Sequence, residues 1–210
     1  MSTVTNDDKN DKHNIKMTQD TVSIFEELTN LIKLERNLEF KSKLKFYQKT
    51  KRFSVDTQNE YGNTLLHVAC KNRNYEIAKV LLEIYRAKPD IQNADGRTPL
   101  HIATIYGSTD KTFYTFQKGW TKQQMTNASN IIDLIVNRSP YVLLIRDKDN
   151  MTPMNYFNTH SDIKSSTTLN TKYKSYKRSI DFFDALKVID TDSSDYELSL
   201  SIYFALKNNT

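Results

Sequence analysis

The feature that most constrains this chain is a segment that occurs twice. Residues 61–71 read YGNTLLHVACK and residues 95–107 read DGRTPLHIATIYG. Gly62 pairs with Gly96, Thr64 with Thr98, Leu66 with Leu100, His67 with His101 and Ala69 with Ala103, at an offset of 34 (96 − 62) each time. A fixed period of this length marks a stack of equivalent supersecondary units, none of which buries its apolar face alone. Such arrays need about three units for stability.

Local chemistry indicates what each unit is. Gly62 and Gly96 supply the positive φ that a tight turn before a helix demands. Thr64 and Thr98 stand where an N-cap belongs, a short side chain there satisfying a free backbone N–H. Pro99 fits the first helical position, and Leu65 replaces it in the first copy. Ala69 and Ala103 let neighbouring helices approach, and Ile77, Val80, Leu81 and Leu82 are expected to face the adjoining hairpin.

Residues 149–157 (DNMTPMNYF) read as a third, degraded copy, with Asn150 at the Gly position, Thr152-Pro153 retained and Asn155 in place of the His. Thr98 and Thr152 are 54 residues apart (152 − 98), about 21 more than the ~33-residue period of such repeats. The excess is placed at about 108–127, ahead of a helix (ASNIIDLIVNR) expected to start near Ala128.

The flanks follow by pattern. Residues 1–17 hold almost nothing apolar and are expected to be a disordered tail. Val22, Phe25, Leu28, Ile32 and Leu34 then recur at roughly helical spacing, with Asp20 or Thr21 as cap, and a second helical stretch is expected over about 40–50. The predicted layout is a capping hairpin at 18–57, repeats at 58–91 and 92–145, a degraded repeat at 146–190 interrupted at about 158–178, and a C-terminal cap at 191–207. Ser194-Asp195-Tyr196-Glu197 has the form of a capping box; an acidic-directed phosphorylation site is the alternative.

The segments NEYGNTLLHVACKNRNYEIAKVLLE and NADGRTPLHIATIYG resemble the ankyrin repeat, whose signature contains G-x-T-P-L-H-x-A. The resemblance rests on motif over about 59–107, on partial motif over 128–157, and on helix pattern alone over 18–57 and 179–207. It implies an all-α solenoid of about four helical hairpins with β-turn fingers, two long insertions and a concave face that binds another protein. It also implies a structural, hydrogen-bonding role for His67 and His101. Four glycines and four prolines in 210 residues fit helices better than a turn-rich all-β fold.

Composition narrows the function classes. The single cysteine, Cys70, forms no internal disulfide and is expected to be a buried, inert thiol. The N-terminus has no signal-like apolar run, and no stretch approaches the ~18 apolar residues of a membrane span. A soluble, monomeric, cytoplasmic or nuclear protein is the expectation. Phosphate-loop, dinucleotide and nucleophile-elbow motifs are absent, and the histidines have no metal-ligand spacing. Neither catalysis nor a cofactor nor a metal is therefore expected. His13 and His160 fall in polar segments and are expected to be solvated.

For a protein partner, the candidate contacts are Glu60, Tyr61, Asn63, Asp95 and Arg97 on the fingers and Trp120 in the first insertion. Phe113, Tyr114, Phe116 and Trp120 within that insertion make either a local mini-core or an aromatic anchor. The basic run 41–52 (Lys41, Lys43, Lys45, Lys49, Lys51, Arg52) is a solvated helix face, a nuclear localisation signal or a contact for an acidic partner. Net charge is +5, and Lys172, Lys174, Lys177 and Arg178 alternate with Tyr173 and Tyr176, a pattern also compatible with stacking on nucleic-acid bases. The leading expectation is a binding adaptor or regulator. A nuclear transcriptional or chromatin cofactor, an inhibitor-like ankyrin mimic, and nucleic-acid binding through 172–178 are the alternatives.

Overall fold

In the computed structural model the described residues are 18–107 and 122–159, and they contain helices and turns but no strand. The helices are α1 (Gln19–Lys33), α2 (Asn37–Lys49), α3 (Leu65–Lys71), α4 (Tyr75–Lys79), α5 (Pro99–Gly107), α6 (Lys122–Arg138) and α7 (Pro153–Thr159). One turn of π-helix, Val80–Ile84, extends α4, and a 3-10 turn, Pro140–Leu144, follows α6. Helices pair in hairpins α1/α2, α3/α4 and α5/α6, and α7 begins a fourth unit. First helices pack in the row α1–α3–α5–α7, while α4 packs on α6 behind them.

The core is the seam between these rows. Leu28, Ile32, Phe40, Leu44, Leu65, Leu66, Ile77, Leu81, Leu82, Leu100, Ile131, Ile135 and Phe157 are fully buried. Each such side chain contributes about 1.5–3 kcal/mol of burial free energy. Ala69, Ala78 and Ala103 are buried at helix contacts where a larger residue would push the rows apart.

The loop joining α3 to α4 does part of the stacking. Asn74 caps α4 by accepting from the Ile77 N–H (3.2 Å), and its amide donates to Asn37 Oδ1 (2.8 Å) and the Ile32 carbonyl (3.3 Å) of the preceding hairpin. Arg73, 2% exposed with φ +54°, points the other way: its guanidinium donates to the Tyr106 carbonyl near the end of α5 (2.7 Å from Nε). A cation at a helix C-terminus meets both the free carbonyls and the negative end of the dipole. Burial lowers the Arg73 pKa to about 10.

Several sequence expectations need adjustment. The cap of α1 is Thr18, whose hydroxyl accepts from the Thr21 N–H at 3.2 Å; Asp20 instead pairs with Arg52. Leu34 is the exposed C-cap of α1, outside its buried stripe, and α2 begins three residues before the expected start. Helix α6 starts at Lys122, so residues 122–127 of the supposed insertion are helical. Polar residues of good helix propensity (Lys122, Gln123, Gln124) extend this helix upstream of its apolar stripe. The tail 1–17, most of the first insertion with its four aromatics, the second insertion beyond Thr159, the basic run 172–178, the SDYE segment and the C-terminal cap lie outside the described residues.

Both repeat glycines are needed twice over. Gly62 and Gly96 have φ +73° and +75°. A Cβ on Gly62 would lie 2.7 Å from the Ala94 nitrogen, and one on Gly96 2.9 Å from the Lys148 nitrogen. Gly96→Ala is therefore expected to cost more than the ~1–3 kcal/mol of backbone strain alone, because the next turn must also retreat. Asn150→Gly, at φ +59° in the third unit, should change stability by under ~1 kcal/mol. Urea midpoints of the two variants check the contrast.

Candidate functional site

Three turns precede α3, α5 and α7, and all are built alike. Gly62 N–H donates to the Asn59 carbonyl (2.8 Å), Gly96 to Asn93 (2.9 Å), and Asn150 to Asp147 (3.0 Å). The side-chain Oδ1 of Asn59 accepts from Tyr61 and Asn63 N–H, that of Asn93 from Asp95 and Arg97, and that of Asp147 from Asp149 and Met151, at 2.9–3.1 Å. These Asx contacts hold each finger in one shape. The fingers also bond to each other, Ala94 N–H to the Tyr61 carbonyl (2.9 Å) and Lys148 N–H to the Asp95 carbonyl (3.0 Å). Gln58 donates to the Gly62 and Gln92 carbonyls, Gln92 to those of Gly96 and Arg146, and Arg146 to that of Asn150.

Behind each finger sits a Thr–His pair. The Thr64 N–H donates to His67 Nδ1 (3.1 Å), which makes Nδ1 an acceptor and places the ring proton on Nε2. Nε2–H then donates to the Arg97 carbonyl in the next repeat (3.0 Å). The arrangement recurs with Thr98, His101 and the Met151 carbonyl (3.1 and 3.0 Å). In the third unit Asn155 Oδ1 accepts from Thr152 N–H (2.8 Å), taking over the work of Nδ1. Desolvation lowers the His67 pKa to about 4, against the weaker pull of the Arg97 carbonyl; burial lowers His101 as well. Both rings are thus neutral structural groups near pH 7. Among the described residues no group of three or more His, Cys, Asp or Glu side chains is arranged to hold a metal. Burial pushes the Cys70 thiol well above its usual range.

The sequence-derived contact residues separate into two kinds. Glu60, Tyr61 and Asp95 are exposed at the finger tips, Tyr61 at 62%. Asn63 and Arg97 bind the next finger. Asn63 Oδ1 accepts from the Asn93 amide (3.0 Å). Arg97 donates to Asp147 (3.3 Å), Asp149 (3.2 Å) and the Tyr156 hydroxyl (3.3 Å), and lies over the Tyr156 ring. Tyr156 in turn donates to Asp147 (2.6 Å). Burial disfavours the Asp147 carboxylate, but Tyr156, the Met151 N–H and Arg97 outweigh it and hold the carboxyl below its ordinary value. Trp120 lies outside the described residues. The exposed tips Lys148 and Asp149 were missed, because the third finger spells its turn Asp147…Asn150 where the others use Asn and Gly.

Beside the first two fingers an open groove of about 1360 Å³ runs along α1. Val22, Phe25, Glu26 and Asn30 form one wall, and Asn59, Glu60 and Ala94 the other.

With this geometry in place, comparison with known proteins is direct. Residues 48–103 match the family model described as "Ankyrin repeats (many copies)". This part of the chain is built of ankyrin repeats. The chain is 34% identical over 103 residues to an ankyrin repeat protein of Rickettsia bellii, covering 48% of this chain and 60% of that one. It is 48% identical over 48 residues to an ankyrin repeat protein of fowlpox virus, 23% of this chain and 14% of that one. It is also 32% identical over 107 residues to the transient receptor potential cation channel subfamily A member 1 homolog of Caenorhabditis elegans, 49% of this chain and 9% of that one. The matches thus span less than two thirds of each relative's length. Ankyrin repeats generally mediate protein–protein interaction, and no helix among the described residues is long and apolar enough to cross a membrane.

Two consequences are measurable. The unfolded chain binds a His67 proton near pH 6.5 and the folded chain only near 4, so stability should fall as pH drops through that window, by about 3 kcal/mol for this residue. His67→Asn, the solution used at position 155, should keep the cap, leave the Arg97 carbonyl unpaired at a cost of ~1–3 kcal/mol, and flatten the pH profile. Urea unfolding at pH 7 and pH 4.5 reads both. Arg97→Met removes the cation facing buried Asp147 and should also destabilise by ~1–3 kcal/mol, seen in the same assay.

Proposed function

We propose that this chain is a non-enzymatic adaptor or regulator that grips a protein partner with the concave face made by its finger tips and first helices. The supporting observation is how the fingers divide their atoms. Their backbone and inner side chains are spent on rigid stacking, while the Glu60, Tyr61 and Lys148 side chains stand exposed at the tips, beside the exposed carboxylates of Asp95 and Asp149 that pair with Arg97. Rigid display lowers the entropy lost on binding. A tyrosine among charged neighbours is the composition of a binding hot spot, since it combines a large apolar ring with a polar tip. The groove along α1 continues this surface and has room for an extended segment of the partner. The relatives add the ankyrin repeat as a shared module and no single partner.

The decisive experiment uses Tyr61→Ala and Glu60→Lys. Both side chains are exposed, so melting temperature should hold while affinity for a partner identified by proximity labelling falls at least about tenfold. Unchanged affinity in both variants would remove the concave face from consideration. Arg97 is unsuitable for this purpose, because its substitution loosens the next finger.

A further inference from the structure

Helix α2 carries a second exposed face that the concave-face reading does not use. Phe40 and Leu44 are its buried stripe. On the opposite side, at helical spacing, stand Leu38, Ser42, Lys45, Phe46 and Lys49. Leu38 is 83% exposed and Phe46 55%, the Phe46 ring lying edge-on to Tyr47 at 5.5 Å. Large apolar side chains left this open on a helix are informative when they share a face with uniform charge.

The charge is selective. Of the six basic residues in 41–52, three are tied down: Lys41 to Glu76 (3.9 Å), Lys43 to Glu27 and Arg52 to Asp20. Lys45, Lys49 and Lys51 have no acidic group within 4.0 Å among the described residues. The tied cations have a fold-internal role, whereas Lys45 and Lys49 face outward on α2 beside Leu38 and Phe46; Lys51 lies beyond the end of the helix and lines the groove along α1.

From this pattern we infer that the outer face of α2 is a docking surface for an acidic amphipathic helix of a partner protein, with Leu38 and Phe46 as apolar contacts and Lys45 and Lys49 as counter-charges. Leu38 and Phe46 are eight residues apart, about 12 Å along the axis, which matches apolar side chains two turns apart on a facing helix. Charge complementarity selects the acidic partner. A membrane surface fits less well, because two apolar residues bury too little area for stable interfacial binding. Nucleic acid would use the lysines but leave Leu38 without a role.

The test is a display library of 13-residue amphipathic helices panned on the full chain, with Lys45→Glu/Lys49→Glu as counter-selection. Expected is enrichment of Asp and Glu flanking apolar residues one or two turns apart. Binding of the selected peptides should weaken at least about tenfold with Leu38→Ser/Phe46→Ser, weaken with salt, and be unaffected by Tyr61→Ala. All substituted side chains are exposed, and circular dichroism checks that the fold persists. No enriched peptide, enrichment without an acidic excess, or equal binding to the charge-reversed variant overturns the proposal. So does tighter capture of phosphatidylserine vesicles or duplex DNA than of the selected peptides.

Discussion

The stack depends on one hydrogen bond made twice: Nε2–H of a buried histidine to a carbonyl of the next repeat, His67 to Arg97 and His101 to Met151. The donor exists only because the threonine N–H occupies Nδ1 and fixes the tautomer. One side chain therefore caps its own helix and holds the following finger. Removing the threonine would free the ring, and removing the ring would leave a cap without a neighbour. Burial enforces the neutral form, so the interaction carries no ion-pair desolvation cost.

The finger ladder is the second half of that constraint. Backbone bonds from Ala94 to Tyr61 and from Lys148 to Asp95 bring successive turns so close that a Cβ on either repeat glycine would collide with the next backbone. Close approach and positive φ thus select glycine independently at Gly62 and Gly96. At the third turn Asn150 tolerates the left-handed conformation. The result is a row of rigid turns whose tips differ freely in chemistry, as Glu60-Tyr61, Ala94-Asp95 and Lys148-Asp149 do.

Much of this was legible because it is local and periodic. Thr64–His67 and Thr98–His101 cap within one turn, so the 34-residue offset exposes them directly. The same offset links Asp56, Gln58 and Asn59 to Asp90, Gln92 and Asn93, a signal that would have revealed the finger bracing. The third finger was harder to see, since Arg146, Asp147 and Asn150 brace and shape the turn where Gln92, Asn93 and Gly96 do so in the second, and Asn155 takes over only the capping half of the role of His101. The sequence offered Asp20 or Thr21 as the cap of α1, whereas Thr18 caps it by accepting from the Thr21 N–H, and Asp20 is engaged by Arg52, 32 residues on. The role of Arg97 was hidden for a similar reason, its main partner lying 50 residues away beyond a stretch of irregular length.

Arg97 also shows why position in a repeat is a poor guide to function without the neighbouring unit. It sits between the turn glycine and the capping threonine, as Asn63 does in the first copy. Both positions border the exposed face, and both side chains are bound to the next finger, Asn63 to Asn93 and Arg97 to Asp147, Asp149 and Tyr156. Such a residue answers to its neighbour's sequence before it answers to any partner. Glu60, Tyr61 and Lys148 carry no such obligation, because the finger needs only their backbone, whereas the Asp95 and Asp149 carboxylates pair with Arg97. Freedom to vary and freedom to bind therefore coincide at Glu60, Tyr61 and Lys148. On and just after α2 the same logic separates Lys43 and Arg52, which hold the first hairpin together, from Lys45 and Lys49, which form no ion pair among the described residues.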